Sequence, residues 1–258
     1  MRRADGTDAV LSRGANVAGL RRAASALDAA RARGLPVPRY TDVVEVPGGV
    51  ALLQERMPGH VTERVDDALV GAILGVVDRL RHVLADEPDV PTPDLYLLDD
   101  GPGFCVHGTL ERHGPQARRL LAWVHDVGRA HGTTTPGDDL VHLDLHPANV
   151  LVDDAGRLTA VVDWDAAGRG DARIGVVTLL FDLAHGRRFD PRYAGLTEDA
   201  VGAVEARVRA IEPDRRRQLW AHMALRQVDW TIRHGHPAAV VEDYLAFALR
   251  GIGRFDLG

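Results

Sequence analysis

The sequence predicts an α+β chain with a short strand-rich lobe over residues 1–56 and a mostly helical lobe over 57–258. Three observations predict this division. β-branched runs punctuated by Pro and Gly turns gather before residue 57, helical spacing of apolar residues dominates from Asp66 onward, and one further pair of apolar runs, NVLV and LTAVV, interrupts the helices around Gly156. With 258 residues and 45% hydrophobic content, the chain is long enough for one large or two modest domains.

Residues 2–12 read as a short hairpin that turns at Ala4 to Asp8, around Gly6, into the strand AVL. Between 20 and 33, Leu20, Ala23, Ala24, Leu27 and Ala30 share one helical face, and Gly34 stops the helix. Pro36 and Pro38 then force an extended exit. TDVVEV and VALLQE, on either side of PGG, read as a hairpin. From Asp66 to Leu84 the positions Leu69, Val70, Ile73, Leu74, Val77 and Leu80 follow helical spacing, with Asp66 as N-cap.

Residues 86–115 are rich in Pro, Gly and Asp and read as a long connection forming a substrate wall or lid. An amphipathic helix follows over 116–131. Asp171 is read as the N-cap of the helix VVTLLFDLAHG, and 199–211, 213–233 and 237–250 are three more helices, with Trp220 and Trp230 in the core. His234 and His236 fall in a solvent-facing turn. Asp229, Glu242 and Asp243 fit either a pocket for a cationic acceptor or ordinary surface charge.

Composition narrows the function classes. No apolar run reaches membrane-spanning length, and MRRADGTDAV lacks the apolar core of a signal peptide, so the expected location is cytoplasmic. Cys105 is the sole cysteine, which excludes an internal disulfide. A net charge of −6 argues against a nucleic-acid polymer as partner and suits a neutral or cationic small molecule. All 31 basic residues are Arg; the chain has no lysine.

The chemistry concentrates in 141–171, VHLDLHPANVLVDDAGRLTAVVDWDAAGRGD. His142, Asp144 and Asn149 form HxDxxxxN, and Asp163 opens DWD. The two apolar runs flank Asp153, Asp154, Ala155, Gly156 and Arg157, which is turn chemistry, so they read as a hairpin. Asn149 and Asp163 each lie seven residues from Gly156, which places them near-opposite at the open end. An amide oxygen and a carboxylate there suit Mg²⁺, which takes few protein oxygens and fills its shell with water and phosphate. Asp144, entering from the preceding loop, is then placed to accept a hydroxyl proton or orient the hydroxyl. That division of labour is the phosphoryl-transfer arrangement of a kinase core. A different reading makes HLDLH an alternating strand with His142, Asp144 and His146 as a hydrolase metal site, though Pro147 ends that strand and no second histidine cluster follows.

At HLDLHPANVL and VVDWDAAGRGD the sequence resembles the aminoglycoside phosphotransferase and choline kinase-like family, whose signature runs HGDxHPxNxL followed by a strand ending in DWE. The resemblance implies a two-lobed, protein-kinase-like fold with a truncated N-lobe, ATP and Mg²⁺ as cofactors, Asp144 as catalytic base, and Asn149 and Asp163 as metal ligands. It also implies His142 as a brace of the catalytic loop, and it makes QERMPG the hinge, with the Glu55 carbonyl and Met57 amide facing adenine. The third-strand Lys falls near Ser12 or Arg13, and Arg13 keeps the charge. Departures are explicit. Leu143 replaces Gly, the Gly-rich loop over the phosphates is missing, the first helix offers no Glu, and Gly175 stands where the family usually has Asp.

Two functions follow from this reading. The first is ATP- and Mg²⁺-dependent phosphorylation of a hydroxyl on a small molecule, aminoglycoside-like or another amine-bearing metabolite. The second is a catalytically impaired kinase-like binding or regulatory protein.

Overall fold

Strands β1 (Ala9–Gly14), β2 (Tyr40–Val46) and β3 (Gly49–Glu55) form an antiparallel sheet in the order β1-β3-β2. Helix α1 (Val17–Ala32) links β1 to β2 and packs on β2, burying Leu20, Ala23, Ala26, Leu27 and Ala30. Gly34, at φ 72°, ends the helical run, a backbone angle that glycine adopts without a Cβ penalty. Strand alternation sorts the sheet into two faces. Tyr40, Val50 and Leu52 are buried on one, while Leu11 and Val44 stay 60% and 53% exposed on the other. The computed structural model describes residue 1 and residues 8–14, 17–47 and 49–257, so most of the expected 2–12 hairpin lies outside the described residues.

The chain divides into two compact units. The first holds residues 1–93 and 136–175. Beyond the sheet it contains β4 (His60–Val61), α2 (Asp67–Arg79), β5 (Asp139–Val141), β6 (Val150–Val152), β7 (Leu158–Val161) and β8 (Gly168–Gly170). Asp66 caps α2 by accepting the Leu69 N–H at 3.1 Å. The helix stops at Arg79, short of Leu84, because His82, at φ 57°, breaks the repeat. Its amide and ring bind Asp139 and Asp138, both at 2.9 Å. Strands β4, β6 and β7 form one small sheet, and β5 and β8 a ribbon.

The second unit holds residues 94–135 and 176–258. It contains α3 (His107–His113), α4 (Pro115–His131), most of α5 (Ile174–Phe189), α6 (Glu198–Arg209), α7 (Pro213–Arg233) and α8 (Ala238–Arg254). Its core centres on Trp220, fully buried among the rings of Phe181, Phe247 and Phe255, with its indole N–H donating to Ala248 O at 3.1 Å.

Three expectations are corrected here. Trp230 is 42% exposed and stacks on His234 and His236 instead of joining the core. Ten helical residues leave it about 80° away from Trp220 around α7. The connection over 86–115 is not a lid over its length: Leu95, Leu97 and Cys105 are buried, Leu95 N–H donates to Thr133 O, and α3 forms within it. That helix, HGTLERH, is short and has Gly in its first turn, so its periodic signal is weak. Asp229 lines no pocket either; it is fully buried and paired with Arg233 at 2.7 Å. Asp243 is held by Arg188 at 2.7 Å.

Gly251 of α8 lies against the Trp220 ring so closely that a Cβ there would overlap it. Gly251→Ala is therefore expected to destabilise the fold by about 1–3 kcal/mol, an overpacking cost. A thermal melt of the variant against the parent checks this.

Candidate active site

Two hydrogen bonds on a single imidazole organise the site. His142 is 3% exposed, just past the end of β5. Its Nδ1 accepts the Asp144 N–H at 3.0 Å, which puts the ring proton on Nε2, and Nε2 donates to Val162 O at 2.9 Å. The edge of the same ring meets Trp164, with centroids 4.4 Å apart. Burial pushes the imidazole below its ordinary value, while the Val162 carbonyl and the charges of Asp144 and Asp163 oppose that shift. The neutral form is therefore the one built into the fold.

The loop after His142 does not continue as a strand. Residues 143–146 turn and Pro147–Asn149 make a single 3-10 turn, so the alternating HLDLH strand does not form. Asn149 Nδ2 donates to Asp144 O at 2.9 Å, which closes the loop and leaves Oδ1 as the accepting end of the amide. The Asp144 carboxylate lies 3.6 Å from His146 Nε2, and 29% of its side chain is open to solvent.

The β6–β7 hairpin forms because Asp153 and Gly156 make its turn. Asp153 Oδ1 accepts the amides of Ala155 and Arg157, and Gly156 takes φ 77°. The register differs from the symmetrical one expected. Leu151 pairs with Ala160 but Val152 with Leu158, so Thr159 is an extra bulge residue, and its hydroxyl donates to Pro58 O at 2.7 Å. Beyond the bulge, Asn149 stands opposite Val162, whose N–H donates to Asn149 O at 2.9 Å; Asp163 comes one residue later. A regular strand would turn Asp163 to the far face. Instead Asp163 takes φ 65°, a left-handed conformation that Asp tolerates better than most residues and that re-aims its side chain.

The DWD segment contributes more than its first acid. Trp164 is buried, with its indole N–H donating to Val161 O at 2.8 Å, while Asp163 and Asp165 on either side are exposed. Tyr40, the first residue of β2, donates its hydroxyl to Asp165 Oδ1 at 3.0 Å. Burial and the Asp165 carboxylate push that phenol far above its ordinary value. Desolvation and the nearby Asp163 charge hold Asp165 above the usual carboxylate range, with the Tyr40 bond working the other way. Neither Tyr40 nor Asp165 stood out in the sequence; only the second acid of DWD hinted at either.

The remaining candidate residues lie on the first sheet and on the segment that leaves it. Arg13 is exposed on β1, in register with Ala51. The Glu55 carboxylate is turned toward α1, accepting from Arg31 Nη1 at 2.7 Å and from the Arg39 N–H at 3.2 Å. Glu55 and Met57 line an open cleft of about 630 Å³ with Asp28, Arg31, Val37 and Arg39, and no residue of 141–171 lines it. In this first helix Arg31 to Glu55 is the charged link to the sheet. Early in α5, Gly175 packs on Leu145, and an added Cβ would lie 3.1 Å from Leu145 Cδ2 and 3.3 Å from Val77 Cγ2.

One further group deserves separation from the site. Among the described residues, His82, Asp138 and Asp139 have ligand atoms within 4.8 Å of one another. Their bonds fasten the end of α2 to β5, and Asp139 also accepts the Ala172 N–H at 3.1 Å.

A histidine held below its ordinary pKa of 6.5 is neutral in the fold and takes a proton on unfolding. Its contribution is present above about pH 6.5 and is lost as pH falls below it, at up to about 1.4 kcal/mol per pH unit per site. His125 and His185 are shifted the same way, so the decline has several contributors. The stability gap between the parent and His142→Gln is expected to narrow from pH 7 to pH 5, as measured by urea unfolding.

The chain resembles solved aminoglycoside phosphotransferases. The apo form of a thermostable mutant of aminoglycoside phosphotransferase APH(4)-Ia matches over 97% of this chain and 90% of that one, with a TM-score of 0.66 at 20% identity. Aminoglycoside phosphotransferase APH(3'')-Id from Streptomyces rimosus matches over 87% of each chain, with a TM-score of 0.53 at 18% identity. The aminoglycoside-3'-phosphotransferase of type VIII matches over 95% and 91%, with a TM-score of 0.54 at 19% identity. No curated protein sequence matches the chain. The structural likenesses show the expected helix-rich α+β fold of the protein-kinase type. The APH model of the phosphotransferase enzyme family matches residues 6–219, and the chain belongs to that family.

Proposed function

We propose that this protein transfers a phosphoryl group from ATP, with Mg²⁺, to a hydroxyl of a small molecule. The observation that carries the reading is that the one buried His142 ring holds the Asp144 amide with one nitrogen and, with the other, the carbonyl of Val162, the residue before Asp163, while Asn149 bonds the Asp144 carbonyl. Asp144, Asp163 and Asn149 are thus each bonded to, or next in sequence to, a backbone group that this ring or this amide holds. Under this reading Asp144 accepts or orients the acceptor hydroxyl proton, and His142 positions Asp144 by fixing its amide. The donor set fits a hard cation: Asn149 commits its amide nitrogen to the Asp144 carbonyl, which leaves its oxygen as a neutral ligand, and Asp163 is exposed. When bound there by Asn149 and Asp163, Mg²⁺ would neutralise charge on the β- and γ-phosphates.

On the nucleotide side, the Glu55 carboxylate is already engaged by Arg31 and the Arg39 amide, and the proposed contacts at the adenine edge are backbone ones, the Glu55 carbonyl and the Met57 amide. Arg13, in register with Ala51 on the exposed sheet face, is the proposed phosphate-side cation. The lobe boundary we propose stays at residues 56 and 57, where the chain leaves β3. Solved relatives of the same fold include complexes with ADP and hygromycin B and with ADP and streptomycin. An amine-bearing, aminoglycoside-like acceptor is therefore the first class to screen. The partners proposed are a nucleotide and this acceptor, without a nucleic-acid polymer or membrane, and the proposed location is cytoplasmic. No helix of the described residues is long and apolar enough to cross a membrane.

A second reading, a kinase-like binding or regulatory protein without transfer activity, is favoured by one observation. The chain contains no lysine, and α1 directs Arg31 to Glu55 instead of offering a Glu to the strand that carries Arg13. Asp144→Ala separates the two readings. It is expected to leave Mg-ATP affinity close to the parent's while lowering turnover, by about 10²- to 10⁴-fold, on an acceptor that the parent phosphorylates. Asp163→Ala should weaken both. If Asp163→Ala binds Mg-ATP as tightly as the parent, the metal assignment is wrong, and a parent that binds nucleotide but never turns over selects the second reading.

A further inference from the structure

We infer that Tyr40 is a positioning residue for the cation site: it holds the Asp165 carboxylate beside Asp163, so that both acids face one divalent ion. The inference rests on the metal reading of Asn149 and Asp163 given above and extends it to two residues outside that set. Three observations support it. Tyr40 is 8% exposed, so its hydroxyl needs a protein acceptor, and the acceptor it uses is an exposed carboxylate 125 residues away in sequence. Trp164 is drawn inward by burial and by its bond to Val161 O, which leaves its two neighbours, Asp163 and Asp165, on the outside. The loop that delivers Tyr40 is itself tied to the same hairpin, since Pro36 O accepts the Val161 N–H at 2.8 Å.

Each of these bonds limits where Asp165 can go. Two carboxylates placed two residues apart repel each other, and an unrestrained aspartate on an exposed loop would rotate into water to lower that repulsion. Tyr40 grips one oxygen, Oδ1, and so opposes the rotation while Oδ2 remains for a cation. Pro36 and Pro38 stiffen the approach to Tyr40, which makes the grip a property of the fold and not of a mobile side chain. The first strand residue after that loop is thereby coupled to the segment that carries Asp163.

The test measures metal binding on the full chain, with Mn²⁺ as the probe and a non-hydrolysable ATP analogue present, by the enhancement of water-proton relaxation above that of the protein-free Mn²⁺–analogue mixture. Tyr40→Phe keeps the buried ring and removes only the hydroxyl. It is expected to weaken Mn²⁺ binding about three- to tenfold. Asp165→Asn is expected to weaken it at least as much, and Tyr40→Phe combined with Asp165→Asn no more than Asp165→Asn alone. Thermal melts without metal report folding for each variant, so a merely structural role would lower the melting temperature without changing Mn²⁺ affinity. A Tyr40→Phe protein that binds Mn²⁺ like the parent, or a double variant whose losses add, overturns the inference while leaving Asn149 and Asp163 in place. A parent that binds no Mn²⁺ with the analogue overturns the metal reading and this inference together.

Discussion

The site depends on keeping one imidazole neutral and dry. His142 has one nitrogen that accepts and one that donates, and the fold uses both, on backbone groups from two different segments. A protonated ring would have no acceptor to offer the Asp144 amide, and the bond that sets the direction of the loop would be lost. Burial therefore does more than pack the ring; it selects the protonation state that the loop geometry requires. Trp164 shields the ring on one side and, through its own position, sets where the flanking acids emerge.

Much of this was legible from the letters. The HxDxxxxN spacing and the turn residues around Gly156 are local signals, and local signals survive folding. The helices over 116–131 and 213–233 appear as Pro115–His131 and Pro213–Arg233 because their apolar repeats are long and Pro occupies the first turn. Asp66 emerged as a cap for the same reason: its role is decided within four residues.

What escaped depends on partners distant in sequence or on single backbone angles. The bulge at Thr159 shifts the register by one, and nothing in LTAVV announces it, since its cause is the hydroxyl's bond to Pro58. The bond from Tyr40 to Asp165 spans 125 residues. Arg31 looked like one arginine of many in a helix until the return of β3 brought Glu55 to it. Trp230 was misplaced because residue type suggested burial, whereas its angular position on α7 decided exposure. Helix α3 was hidden by its length and by its glycine.

Gly175 shows how such packing constrains substitution. The resemblance leads to the expectation of an acid there, and the position is closed by Leu145 and Val77. An acid placed there would bring a charge into an aliphatic contact against the residue next to Asp144. Gly175, Leu145 and Val77 therefore form one packing unit, in which a larger side chain fits only where both aliphatic neighbours yield by a few tenths of an ångström.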